Sequence, residues 1–108
     1  MWLMTPRGFY SVVSHPNDPT LVLVRARARV DLEALHDFVS GLEIHETPQR
    51  DYGWRAAVSR SAWSAALVLL AAEIDYPNFK AAVATREGAK RAHIYGNVWA
   101  TLLEIQRP

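Results

Sequence analysis

A chain of 108 residues, half of them hydrophobic and 21% charged, has material for one packed core and does not have the composition of a disordered chain. Twelve Lys and Arg against eleven Asp and Glu leave a formal charge of +1, so no long-range field draws in nucleic acid or a charged membrane, and electrostatic recognition must be local. The lack of cysteine excludes a disulfide framework, a thiol nucleophile and a zinc thiolate site.

A single α+β domain over residues 1–108 is expected. The first ten residues hold Pro6, Arg7 and Gly8 and no secretory apolar run, which points to a cytoplasmic protein. The most apolar stretch, Ala65 to Ala72, is far short of the ~20 residues that cross a bilayer, so no membrane partner is expected.

Gly8 to His15 is rich in aromatic and β-branched residues and reads as a first strand, ended by the turn formers Pro16, Asn17, Asp18 and Pro19. Leu21 to Val30 alternates, with Val22, Val24, Ala26 and Ala28 on one parity and Leu21, Leu23, Arg25, Arg27 and Arg29 on the other. Asp31 is a suitable N-cap for a helix over Leu32 to Ser40, and Gly41 suits its left-handed end. Leu42 to Thr47 and Tyr52 to Ser59 read as two further strands around the turn Pro48 to Asp51. Ser61 can cap a helix striped by Trp63, Ala66, Leu67, Leu70 and Ile74, which must stop before Pro77. Asn78 or Asp75 begins a short helix through Phe79, Ala82 and Val83; Gly88 interrupts it, and a last amphipathic helix runs from Ala89 to Gln106.

This order predicts a two-layer sandwich: a ferredoxin-like, permuted, four-stranded antiparallel sheet of order 1-2-4-3, with helices on one face and an extra C-terminal helix. Parity then assigns Arg25, Arg27, Arg29 and Arg55 to the open face, with Leu21, Leu23, Glu43 and His45. Guanidinium groups about 7 Å apart along a strand can each hold a phosphate or carboxylate. The plainer reading is a solvated strand whose arginines are neutralised by Glu43 and Glu46. Leu21 and Leu23, with Phe9 or Val13, suggest an apolar patch for a homodimer or another protein partner. Nucleic acid is disfavoured, because no aromatic run of the RNA-recognition type accompanies the arginines.

Candidates for chemistry are His45, flanked by Glu43 and Glu46, and His93 with Tyr95, which can meet Glu73, Asp75 and Tyr76 if the last helices pack antiparallel. Glu33 and His36 make one half of a carboxylate-bundle pair without its second copy, so no metal and no cofactor is expected. No glycine-rich phosphate loop or nucleophile elbow is present.

Trp2, Thr5-Pro6, the run Gly8-Phe9-Tyr10-Ser11-Val12-Val13, Ile74-Asp75-Tyr76 and Asn78-Phe79-Lys80 together resemble a group of short bacterial proteins that begin in the same way. The resemblance runs nearly the whole length and implies a bacterial cytosolic housekeeping or regulatory role, but no activity, cofactor or site. The favoured reading is a non-enzymatic binding module that presents Arg25, Arg27, Arg29 and Arg55 to an anionic ligand or protein partner. The alternative is a small dimeric enzyme with proton transfer by His45 or His93 with Tyr95 in a pocket between sheet and C-terminal helix.

Overall fold

The computed structural model describes residues 1–107, which form two compact units divided after Asp75. The first holds an antiparallel sheet and its helical layer; the second is helical. No helix among the described residues is long and apolar enough to cross a membrane.

The sheet consists of β1 (Trp2–Thr5), β2 (Gly8–Ser14), β3 (Leu21–Ala26), β4 (His45–Glu46) and β5 (Trp54–Ser59), in the order β1-β2-β3-β5-β4. It has five strands where the ferredoxin-like reading had four. The additional strand, β1, is joined to β2 by a tight turn at Pro6 and Arg7. The Thr5 hydroxyl closes that turn, accepting from the backbone N–H of Arg7 and Gly8 and donating to the Gly8 carbonyl. Between β2 and β3, the Asp18 carboxylate accepts from the hydroxyl and amide of Thr20, and these bonds hold its pKa below the usual carboxylate range.

Side chains of one parity from β2, β3 and β5 form the core: Tyr10 and Val12, Val22, Val24 and Ala26, Ala56 and Val58. Against them lie α1 (Arg29–Glu33), the turns that follow it, and α2 (Arg60–Ala72), through Leu32, Leu35, Val39, Trp63 and Ala66. Strand pairing fixes which parity faces the helices, since a one-residue slip would bring the arginines into the core.

The first helix differs from expectation. It begins three residues earlier, at Arg29, and ends at Glu33, after which the chain continues in turns through Val39. Asp31 is therefore inside α1 rather than at its cap, and is buried. Its carboxylate accepts from the Phe9 amide at 3.0 Å, while its carbonyl takes the Tyr10 hydroxyl at 2.7 Å. The cap of the second helix also moves: Ser59, not Ser61, accepts from the Ala62 amide. Gly41 does adopt the left-handed backbone that ends the turns, at φ 69°.

Arg7 joins the β1–β2 turn to the helical layer. Its Nε and one terminal nitrogen donate to the two carboxylate oxygens of Glu73, each at 2.7 Å. The other terminal nitrogen reaches the Ala34 carbonyl at 2.8 Å and the Asp37 carboxylate at 3.0 Å. The guanidinium also covers the Phe38 ring. The bonds from Glu73 raise its already high pKa, so Arg7 remains charged at every pH at which the protein folds.

In the second unit, α3 (Phe79–Glu87) is capped by Asn78, whose side chain accepts from the Ala81 amide, and α4 (Ala89–Leu102) follows after Gly88 at φ 96°. Phe79 stacks on Tyr95 with ring centroids 6.0 Å apart and 6° between planes, and Val83, Ala92 and Tyr95 are buried.

Two substitutions test this packing. A Cβ at Gly8 would lie 2.7 Å from Cβ and Cγ of buried Asp31, so Gly8→Ala is expected to cost about 2 kcal/mol in urea denaturation. Arg7→Lys keeps the charge but not the fork to Glu73, and a loss of about 2 kcal/mol is expected in the same experiment.

Candidate functional site

Directly opposed residues of an antiparallel pair project from one face of the sheet, so the face away from α1 and α2 follows from the register. One row crosses all five strands: Trp2 opposite Ser11, Ser11 opposite Arg25, Arg25 opposite Arg55, and Arg55 opposite His45. The neighbouring row is apolar, with Val13 opposite Leu23 and Leu23 opposite Ala57. Phe9, two residues before Ser11, meets the Trp2 ring edge to face at 5.7 Å and 87°.

Arg25 and Arg55 thus stand opposite each other on adjacent strands, a juxtaposition of like charge that costs stability unless an anion offsets it. Each guanidinium is positioned by its surroundings. Arg25 donates to the Ser11 hydroxyl at 2.7 Å and more weakly to the Ser11 carbonyl, and lies 4.7 Å from the centroid of the Tyr52 ring. Arg27, one residue beyond β3, lies 4.5 Å from the same ring and donates to the Asp51 carbonyl at 2.6 Å. Arg55 donates to the Thr47 hydroxyl at 3.3 Å and has Asp51 Oδ1 at 3.6 Å.

Among the described residues, Asp51 supplies the one carboxylate in ion-pair contact with these three guanidiniums. That oxygen also accepts the Tyr52 amide. The expected neutralisation by Glu43 and Glu46 is not made: Glu43 is 3.9 Å from His45, and Glu46 is opposite Trp54, a residue of core parity. With that one exposed carboxylate set against Arg55, and none among the described residues in contact with Arg25 or Arg27, this part of the face is left positive.

Arg29 is corrected. Because β3 stops at Ala26, strand parity no longer governs position 29, and Arg29 opens α1. Its Nε donates to Glu33 at 2.7 Å and its guanidinium lies over the Trp54 ring, away from the row of Arg25 and Arg55. His45 does lie on the row, but at its edge and 68% exposed. His93 and Tyr95 do not come together: two positions apart on α4, they project on different sides, with His93 exposed and Tyr95 buried. The Tyr95 hydroxyl accepts from Arg91 at 3.1 Å. No group of three His, Cys, Asp or Glu side chains suited to a metal is gathered among the described residues.

Residues that sequence reasoning did not assign to the face are Trp2, Ser11, Thr47 and Tyr52. Trp2 was signalled by the alternation of Trp2 and Met4 with Leu3 and Thr5 ahead of a Thr-Pro-Arg-Gly turn. Tyr52 carried no such signal, since it has the core parity of Trp54 but lies outside β5. No family model matches the chain, and no curated protein or solved structure matches it.

Tyr52 is the surface that Arg25 and Arg27 share. Tyr52→Leu is expected to lower stability by about 1–2 kcal/mol and to accelerate hydrogen exchange at Nε of both arginines in nitrogen-edited NMR spectra. Unchanged exchange would show that the ring does not hold them.

Proposed function

We propose that the chain is a non-enzymatic binding module that takes an anionic group on the open sheet face, between Arg25, Arg27 and Arg55. The observation that carries this reading is the direct opposition of Arg25 and Arg55, with one exposed carboxylate, that of Asp51, in contact with Arg55. A bound phosphate or carboxylate would replace that repulsion with charge-assisted, bidentate hydrogen bonds. The guanidiniums are already placed by Ser11, Thr47 and the Tyr52 ring, so little side-chain freedom is left to lose on binding. The enzymatic alternative has less support, since His93 and Tyr95 do not converge.

The test is thermal unfolding in sodium tripolyphosphate against sodium chloride of equal ionic strength. A ligand at a hundred times its Kd adds about 2.7 kcal/mol of stability, so a rise of several degrees in Tm is expected. The double variant Arg25→Gln, Arg55→Gln should fold and lose that rise. An equal rise in both proteins would place the anion elsewhere and defeat the proposal.

A further inference from the structure

We infer that the anionic ligand is a single-stranded nucleic acid, with bases stacked on Trp2 and its neighbour Phe9 and phosphates held by Arg25 and Arg55. The inference rests on the anion-binding reading above and adds what the arginines alone do not explain.

Trp2 is 72% exposed although it lies within a paired strand, so it contributes little to the core. Its ring is nevertheless oriented, edge to face against Phe9 at 5.7 Å, and it stands in the same cross-strand row as Arg25 and Arg55. A free phosphate or a carboxylate has no use for an indole two strands away from the guanidiniums. A nucleotide chain does: each unit carries one anionic group and one flat π-surface, and a single strand leaves its bases free to stack.

The dimensions agree. Neighbouring strands are separated by about 4.8 Å, which puts Trp2 about 10 Å from Arg25 and makes the whole row about 19 Å long, enough for a few nucleotides laid across the strands. Ser11, between Trp2 and Arg25 in the row, is small, and the Arg25 guanidinium reaches its hydroxyl at 2.7 Å, which extends the cationic surface towards Trp2. Duplex fits less well, because its bases are already stacked on one another and leave no free π-surface for Trp2. The net charge of +1 requires binding to be local and sensitive to salt at a few contacts rather than steered from a distance.

The experiment is fluorescence anisotropy with fluorescein-labelled, mixed-sequence oligonucleotides of about 12 nucleotides, as single-stranded RNA, single-stranded DNA and duplex, titrated with the full chain over a range of salt. Saturable binding of a single strand, at least about tenfold tighter than duplex, is expected, and preference between RNA and DNA identifies which source the face reads. Trp2→Ala should weaken single-strand binding about tenfold with the salt slope unchanged, while Arg55→Gln should reduce that slope by about 0.7. Circular dichroism confirms that both variants fold. Equal binding by Trp2→Ala and the parent protein, or duplex binding as tight as single-strand binding, would overturn the inference. Failure of all oligonucleotides while tripolyphosphate still raises Tm overturns the inference and leaves the anion platform standing; failure of both ligands removes both.

Discussion

One guanidinium ties the β1–β2 turn to the helical layer. Arg7 leaves the tight turn between β1 and β2 and ends among a carboxylate fork from Glu73, a backbone carbonyl from Ala34, the Asp37 carboxylate and the Phe38 ring. These partners come from the end of α2 and from the irregular turns after α1. A planar, permanently charged group with five donors satisfies all of them at once, which a lysine cannot do. The Gly8 backbone, pressed against the Asp31 side chain, brings the same turn close to α1 from the neighbouring position.

That anchorage has a consequence for the opposite face. With Arg7 paired to Glu73 and Asp37, and Arg29 to Glu33, those arginines are committed to carboxylates of the helical layer. Arg25, Arg27 and Arg55 are held differently, by hydroxyls, backbone carbonyls and an aromatic ring, with a single carboxylate near them. Neutral partners orient a cation without cancelling it. A chain that is nearly neutral overall therefore concentrates positive charge at one place on its sheet.

The second unit follows other rules. Its described residues form no strand, and its helices are joined at Gly88, whose φ of 96° few other residues adopt. Its order comes from the parallel Phe79 and Tyr95 rings and from small buried residues such as Val83 and Ala92. Trp99, Leu102 and Ile105 near its end are exposed, as the stripe of an amphipathic helix is when only part of it meets a neighbour.

The alternation of Leu21 to Ala26 and of Trp54 to Ser59 was legible because a half-buried strand must put apolar residues at every second position, and the same parity placed Arg25 and Arg55 on the open face. The left-handed Gly41 and the Asn78 cap were legible because each depends on local backbone chemistry. Where β3 would stop was not, and with it went Arg29: the end of a strand depends on how far its neighbours continue to pair, which no single segment records. Neither could the chain alone reveal that Trp2 and His45 share a row with the arginines, or that Tyr52 turns onto them. Composition and periodicity determined which side chains could face water. Register between distant strands and the packing of loop 47–53 decided which of them meet, because those contacts are set by hydrogen bonding and burial between residues far apart in the chain.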